Sequence, residues 1–251
     1  MSAIAAVAVD GFPEVQPGDD LAALIAAATD GASLTGDDVI VIAHKIVSKA
    51  EGRTRALADV EPSPRALELA AEHGKDPRHV QVVLDESSQI LRASRGVLIC
   101  VTRHGFVCAN AGVDASNAPA PDTLVLLPVD PDDSARRIRA ALRTRIGVSP
   151  AVLITDSFGR AWRHGQCDVA IGSAGVAPLE DWRGRRDAVG RELTATWIAI
   201  ADELASAADL ARAKDARQPV VIVTGAGRHV GDEDGPGAAA LLRPEAEDLF
   251  R

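Results

Sequence analysis

Carboxylate and hydroxyl side chains follow two short apolar runs that predict β-strands. Asp156 and Ser157 come directly after the run at 152–155, and Asp114 follows the strand predicted over 106–109. Such oxygen atoms suit Mg²⁺ or Mn²⁺, which keep several waters and bind phosphate oxygens through one or two carboxylates. Asp also caps turns and helices very often. Spacing alone therefore leaves two interpretations open, a metal site or two capping residues.

Basic side chains follow two of the predicted strands and could contact phosphate groups. They are His44, Lys45, Lys49, Arg160, Arg163 and His164. The last three belong to a segment rich in Gly and Arg, predicted as a loop that could neutralise charge on a transferring phosphoryl group. The alternatives are a solvated loop for the first three and pairing with surface acids for the last three. Asn117 could hydrogen-bond a base or ribose, or simply close a turn.

The bulk composition argues against several classes of protein. The 251 residues carry 27 Lys and Arg against 36 Asp and Glu, and the net charge of −9 argues against nucleic acid as a partner. No apolar run approaches the roughly 20 residues of a membrane span, and the N-terminus lacks the basic region of a signal peptide. Three cysteines without CxxC spacing favour a reduced, cytoplasmic protein without structural zinc.

The sequence gives little support to two other kinds of catalytic site. It contains no GxSxG motif, and no cysteine has an obvious base nearby in sequence, so nucleophilic catalysis is poorly supported. The Gly-rich segment at 225–237 lacks the GK[ST] of a P-loop, and we interpret it as a flexible turn.

Strands and helices mix without a strict βαβ rhythm, which predicts an α+β fold with a mixed sheet. Predicted helices begin after Asp20, Ser63, Asp76 and Asp130 and cover 198–214; the one after Asp76 has an apolar stripe reaching Leu91. Strands are predicted over 39–43, 97–102, 106–109, 123–127, 152–155, 191–197 and 219–224.

Six segments, in order along the chain, together resemble the coenzyme F420-0:L-glutamate ligase family. They are FPEVQPGDDL, HKIVSKAEGR, RHGFVCANAGVDASN, LLPVDPDDSARRIRAALRTRIGV, VLITDSFGRAWRHGQCDVAIGSAG and LLRPEAEDLFR. The resemblance runs from about residue 11 to residue 251. The family also occurs as the N-terminal part of a two-domain actinobacterial version. Because this chain stops after DLFR, we expect one ligase domain over 1–251, in one or two interleaved lobes, without the nitroreductase-like C-terminal domain.

The resemblance implies a GTP-dependent, GDP-forming ligase that adds L-glutamate to coenzyme F420-0, a deazaflavin cofactor precursor, and extends it by γ-glutamyl linkages. GTP would convert the acceptor carboxylate into an acyl phosphate, and the glutamate amine would displace the phosphate. Two other readings stay open: a GTP-dependent amide ligase for a different carboxylate, and a non-catalytic GTP-binding module.

The resemblance also implies roles for single residues. Asp114 and Asp156 match catalytic positions that hold a divalent metal, and Ser157, often Thr in the family, matches a position for a second metal. The nucleotide contacts carried over are Phe12, Pro13, Glu14, Val15, His44, Lys49 and Asn117. The family's tail approaches the nucleotide, but no single residue of 225–237 is assigned. Arg160, Arg163 and Gln166 could hold the incoming glutamate, because a substrate with two carboxylates needs fixed cations.

The resemblance further implies an unusual α+β ligase fold in an intertwined homodimer. The implied cofactors are two Mg²⁺ or Mn²⁺ ions per site, with K⁺ as a further cation. GTP, L-glutamate and the coenzyme F420 precursor are the expected small-molecule partners. We expect no nucleic-acid or membrane partner.

Overall fold

The computed structural model describes residues 3–29 and 34–248, which form an α+β structure as predicted. The end of the terminal motif, 249–251, lies outside these residues. The helices are α1 (Leu21–Ala28), α2 (His44–Ala50), α3 (Pro64–His73), α4 (Pro77–Asp85), α5 (Pro131–Ile146) and α6 (Ile200–Ala211). The strands are β1 (Ala5–Ala8), β2 (Val39–Ala43), β3 (Thr54–Ala56), β4 (Ser87–Ser94), β5 (Val97–Thr102), β6 (Val107–Ala109), β7 (Thr123–Val125), β8 (Ala151–Arg160), β9 (Arg163–Ala174), β10 (Glu180–Asp181), β11 (Trp197–Ile198) and β12 (Val220–Thr224).

A five-stranded mixed sheet in the order β1–β12–β2–β8–β9 positions the candidate site. Strands β2 and β8 are parallel neighbours, and the other pairs in this sheet are antiparallel. Alternate residues of β2 and β8 pack against α1, α2 and α5 on one face and against α6 on the other. Burial on both faces explains why these two strands begin as unbroken runs of apolar residues.

Local capping signals place most helix ends where the sequence predicts them. The side chain of Ser63 accepts a hydrogen bond from Ala66 N at the start of α3, where Pro64 is the first helical residue. Gly74 ends the same helix in the left-handed conformation, at φ 65°. Asp130 and Gly147 bound α5 in the same manner. These predictions are confirmed.

A second sheet, β4–β5–β6, packs with α3 and α4 around a separate apolar cluster. Here the prediction of a helical stripe reaching Leu91 is wrong, because α4 ends at Asp85 and Leu91 lies in β4. The buried side chains of α4 are Val80, Val82 and Val83, so the helix completes its apolar face before Leu91. Pairing of β4 with β5 then determines the conformation of the next eight residues.

The segment after the run at 152–155 is a β-hairpin, which corrects the predicted loop. Strand β8 continues to Arg160 and pairs antiparallel with β9 around a turn at Ala161 and Trp162. Asp156 and Ser157 therefore lie inside a paired strand, where the sheet fixes the direction of each side chain. The Gly and Arg residues of this segment do not form the apolar pattern that predicts a strand, but their backbones pair across the hairpin.

Smaller corrections concern the lengths of three predicted elements. The strand predicted over 191–197 is only Trp197–Ile198, paired with β10, and the helix predicted over 198–214 is α6, Ile200–Ala211. Strand β7 is likewise shorter than the predicted 123–127. Within residues 3–29 and 34–248, none of the helices combines the length and apolar character needed to cross a lipid bilayer.

The Gly-rich segment 225–237 is tied to α5, so its interpretation as a flexible turn is wrong. The guanidinium of Arg139 donates to the carbonyls of Gly231 (2.6 Å) and Asp232 (3.0 Å) and to Oδ1 of Asp234 (2.9 Å). Arg139 also donates to Pro150 O at 3.2 Å, just before β8. The segment thus lies at the end of the sheet where β8 begins, opposite the end that continues toward Asp156.

Candidate functional site

The parallel pairing of β2 and β8 brings the first predicted site residues together. Ala43 is opposite Thr155, so His44, the first residue of α2, lies beside Asp156. Nε2 of His44 is 3.3 Å from Oδ1 of Asp156. His44 is only 2% exposed, and its Nε2 has no hydrogen-bond partner of good geometry among the described residues. A buried ring nitrogen thus faces the carboxylate without a completed hydrogen bond.

Asp156 is ionised at neutral pH despite its surroundings. Burial raises the pKa of its carboxyl, but the His44 imidazole, the Ser157 N–H and the Lys45 ammonium outweigh burial and hold that pKa below the ordinary value. Nδ1 of His44 lies 3.2 Å from Oγ of Ser48, one turn later in α2, and this contact orients the ring.

Asp114 lies at a short bridge to β7, where its N–H and carbonyl pair with Val125 (3.1 and 2.8 Å). Its side chain accepts hydrogen bonds from Lys45 Nζ (2.6 Å), Ser116 N (2.8 Å) and Ser116 Oγ (2.7 Å). Burial raises the pKa of Asp114, and these hydrogen bonds from Lys45 and Ser116 more than offset it, so the pKa is lowered.

Lys45 connects the two carboxylates, since its ammonium bonds to Asp114 and lowers the pKa of Asp156. Among residues 3–29 and 34–248, no group of three or more His, Cys, Asp or Glu side chains is placed to hold a metal ion. Mg²⁺ and Mn²⁺ do not require such a group, because waters and phosphate oxygens complete their coordination. The carboxylate of Asp114, with the neighbouring oxygens of Ser116, is a donor set of this limited kind, and Asp156 is a second ionised carboxylate in the field of Lys45.

The predicted nucleotide segment divides into buried and exposed side chains. Phe12 and Val15 are buried in the main core, and Pro13 and Glu14 are exposed. Oε1 of Glu14 accepts a hydrogen bond from Nζ of Lys49 at 2.5 Å. Because Lys49 is only 8% exposed, its charge is weakly screened by water. Of this segment, the exposed side chains and the backbone are available to a ligand.

Ser157 faces the α6 side of the sheet, opposite Asp156. Its Oγ donates to Oδ1 of Asp168 at 2.6 Å, and Lys214 Nζ donates to Ser157 Oγ at 2.8 Å. Asp168 is 1% exposed, and its carboxylate also bonds to Thr155 and pairs with Arg212. Lysine and arginine thus neutralise a fully buried carboxylate next to the predicted second metal position.

Asp168 is a residue that the sequence reasoning missed. It lies directly opposite Ser157 in the register of the hairpin. The sequence does contain a pattern that could have identified Asp168. It is an acidic residue in the run CDVAIG, followed by apolar residues that would face both sides of a strand. A carboxylate in such a run needs a cation, but only the fold shows that Arg212 and Lys214 supply it.

The other predicted residues lie at the edges of this arrangement. Asn117 is exposed and has φ 53°, in the turn that follows Asp114. Gln166 pairs with Gly159, and Arg160 with Arg163, near the exposed end of the hairpin. These pairs are three and more positions beyond Asp156, or about 10 Å along the strand. The described chain therefore does not bring the proposed glutamate-binding residues to Asp156.

Cys108, also close to Asp156, is not suited to nucleophilic catalysis. Burial, together with the Asp156 charge, raises the pKa of its thiol to about 12. The thiolate is the reactive form of cysteine, so this side chain is inert at neutral pH. Acid–base and electrostatic chemistry at this site rests on the carboxylates and the cations around them.

Comparison with known proteins gives one consistent result. Residues 11–225 match the family model of the F420-0:Gamma-glutamyl ligase. The chain is 49% identical to the coenzyme F420:L-glutamate ligase of Methanopyrus kandleri over 240 residues, covering 95% of this chain and 94% of that protein. It is 46% identical to the enzyme of that name from Methanothermobacter thermautotrophicus, covering 99% of each chain. For the Haloarcula marismortui enzyme the identity is 43%, covering 97% of this chain and 94% of that protein. The chain belongs to the F420-0:gamma-glutamyl ligase family.

Proposed function

We propose that this protein is a coenzyme F420-0:L-glutamate ligase, which joins L-glutamate to the cofactor precursor and extends the product by γ-glutamyl linkages. The observation that carries the proposal is similarity along nearly the whole chain to enzymes of that name. The site supports it, because Lys45 bonds to the ionised carboxylate of Asp114 and its charge also lowers the pKa of Asp156.

A ligase of this kind must activate a carboxylate before an amine can attack it. We assign GTP as the phosphoryl donor: the acceptor carboxylate attacks the γ-phosphorus, GDP leaves, and an acyl phosphate forms. The amine of glutamate then attacks the acyl carbon, phosphate leaves, and the amine loses a proton. Cations that neutralise charge on the transferring phosphoryl group are the main catalytic requirement of the first step.

Asp114 and Asp156 would hold a divalent metal ion, Mg²⁺ or Mn²⁺, which supplies charge neutralisation to the phosphates when bound. His44 orients Asp156 from the start of α2. Ser157 is the proposed residue for a second ion. Its side chain faces Asp168, away from Asp156, so any ion bound through its hydroxyl is separate from the ion at Asp156. K⁺ is a further proposed cation.

The nucleotide would lie across the start of α2. Lys49 supplies a positive charge for a phosphate, and Glu14 holds that ammonium in place at 2.5 Å. The other proposed contacts are the exposed parts of the segment from Phe12 to Val15, His44 and the side chain of Asn117. The low exposure of Lys49 strengthens its attraction for phosphate.

We also propose a homodimer in which each chain contributes one ligase domain, located in the cytoplasm. The three cysteines, Cys100, Cys108 and Cys167, are free thiols, as a reducing compartment favours. Arg160, Arg163 and Gln166 lie near the exposed end of the hairpin, about 10 Å beyond Asp156 in their own chain, and stay the proposed residues for glutamate.

Mass spectrometry of the precursor after incubation with GTP, glutamate and Mn²⁺ tests the function. A ligase adds one glutamyl mass increment per turnover, and phosphate release depends on both the acceptor and glutamate. If another carboxylate gains the increment and the precursor does not, the substrate assignment is wrong. GTP binding without any dependence of phosphate release on the acceptor and glutamate would instead indicate a binding module.

A further inference from the structure

Lysine is rare in this protein, and the few lysines concentrate at the candidate site. The chain has four lysines among 27 basic residues. Three of them hold predicted site residues: Lys45 bonds to Asp114, Lys49 to Glu14 and Lys214 to Ser157. Arginine makes most of the other ion pairs in the described chain, as in Arg53 with Glu86, and Arg212 pairs with Asp168 beside Ser157. Lysine is nevertheless the residue that contacts Asp114, Glu14 and Ser157.

The ammonium of Lys45 sits among three oxygen atoms. Nζ is 2.6 Å from Oδ2 of Asp114, 2.5 Å from Oγ of Ser116 and 3.1 Å from the carbonyl oxygen of Ser116. Carboxylate, hydroxyl and carbonyl oxygens are the ligands that Mg²⁺ and Mn²⁺ prefer. The ammonium thus occupies a position whose surroundings suit a metal ion.

A second observation concerns His44, the residue that precedes Lys45 in α2. The Nε2 atom of His44 is buried, faces Asp156 at 3.3 Å, and makes no hydrogen bond of good geometry within the described chain. Buried polar atoms are nearly always paired, and an unpaired one indicates a missing partner or ion. His44 therefore faces Asp156, whereas the next residue, Lys45, contacts Asp114, so consecutive residues of α2 serve the two carboxylates.

We propose that Lys45 occupies the cation position of Asp114 and Ser116 in the metal-free protein, and that a divalent metal ion must displace it. Ser116 then contributes ligand oxygens through its hydroxyl or carbonyl group. The inference rests on the proposed metal role of Asp114. Lys45 acts as a positioning residue that orients the carboxylate, and its ion pair sets the affinity for metal.

The proposed displacement of Lys45 by a metal ion explains why this residue is a lysine and not an arginine. An ammonium is a point charge on a flexible stem, whereas a guanidinium binds a carboxylate through two parallel hydrogen bonds. Arginine at this position would hold Asp114 more firmly and resist displacement.

Mn²⁺ binding measured by electron paramagnetic resonance, without nucleotide, tests the displacement. Lys45→Met removes the competitor, and we expect it to tighten Mn²⁺ binding by about fivefold, the value of a partly exposed ion pair. Lys45→Arg should bind Mn²⁺ more weakly than the unsubstituted protein. Arg65→Met, on the exposed face of α3, removes one positive charge as a control and should leave binding unchanged. Equal affinity in Lys45→Met and the unsubstituted protein would overturn the inference.

Two further measurements separate this inference from the proposed function. Asp114→Asn should abolish most Mn²⁺ binding; if it binds normally, the metal role of Asp114 is wrong, whatever Lys45 does. In the unsubstituted protein, the four lysine side chains can be observed by NMR after ¹³Cε labelling, with Lys45→Arg assigning one signal. Saturating Mg²⁺ should move the Lys45 signal toward that of a solvated lysine. A Lys45 signal that does not move at saturation contradicts displacement even if a variant fails to fold.

Discussion

Asp156 and Ser157 are neighbours in sequence, yet they face opposite sides of the central sheet. The carboxylate of Asp156 meets His44 on the α2 side, and the hydroxyl of Ser157 meets Asp168 on the α6 side. The alternation of a paired strand imposes this separation. One strand therefore supports two polar clusters, one with an ionised carboxylate near Lys45 and one with a buried carboxylate neutralised by Arg212.

Asp156→Asn should preserve the fold and lose most metal-dependent turnover, by about a hundredfold. The amide has the same shape as the carboxylate but lacks the charge that attracts a metal ion. Initial rates across a Mn²⁺ series, with circular dichroism as a check on folding, measure the effect. Asp133→Asn, on the exposed side of α5, is the matched control. Full activity of Asp156→Asn at limiting Mn²⁺ would count against the metal assignment.

Asp168→Asn should destabilise the protein by about 3 kcal/mol, because it leaves the buried guanidinium of Arg212 without its carboxylate. The hydrogen bonds from Thr155 and Ser157 are also weakened. Urea unfolding measures the free energy of unfolding. Glu68→Gln, an exposed carboxylate on α3, should change it by less than about 0.5 kcal/mol. Similar unfolding midpoints for the two variants would show that Asp168 has no stabilising role.

Lys49→Ala should raise the GTP concentration needed for half-maximal rate by about tenfold, the value of one charge-assisted hydrogen bond to a phosphate. The maximal rate should change less, since Lys49 binds rather than reacts. Steady-state rates against GTP concentration provide the measurement. The same substitution at Lys75, at the C-terminal end of α3, controls for lost charge. An unchanged GTP dependence would mean that Lys49 only anchors Glu14.

Asp114 has a lowered pKa in the folded protein, so its contribution to the free energy of unfolding should decrease as the pH falls. Such a carboxyl has a lower pKa in the folded protein than in the unfolded chain, where the pKa is near the ordinary 3.8. It therefore stabilises the folded protein at pH values above 3.8. This contribution is lost as the pH falls through the lower pKa of the folded protein. Urea unfolding at pH 7, 5 and 3.5 should show Asp114→Asn differing from the unsubstituted protein at pH 7 and 5, with a smaller difference at pH 3.5. A difference that grows in acid would contradict the lowered pKa.

Local signals in the sequence were enough to predict much of the fold. The helix boundaries at Ser63 and Gly74 follow from side-chain capping and from the freedom of glycine at positive φ, which depend on near neighbours only. The buried strand β2 follows from its unbroken β-branched run. The sequence did not predict the β8–β9 hairpin because the residues near its turn are rich in Gly and Arg, which do not form an apolar strand pattern. Their backbones pair because the apolar residues at the other end of β8 and β9 already hold the two strands in register.

The candidate site was predictable in its residue types but not in its contacts. Spacing selected Asp114 and Asp156 as carboxylates that follow strands, and the fold brings both near Lys45. The contact of Lys45 with Asp114 joins residues 69 positions apart, and no local pattern encodes it. The pairing of Asp168 with Arg212, 44 positions away, depends on the strand register and the end of α6. The nucleotide contacts at Phe12 to Val15, His44, Lys49 and Asn117 stay predictions.

The most direct test of the account is mass spectrometry of coenzyme F420-0 incubated with the purified protein, GTP, L-glutamate and Mn²⁺. We expect a product heavier by one glutamyl increment, then by further increments, with GDP and phosphate released in equal amounts. Omission of GTP, glutamate or metal should each prevent the first addition. A precursor that stays unmodified in the complete mixture, with the protein folded and binding Mn²⁺, would contradict the assignment.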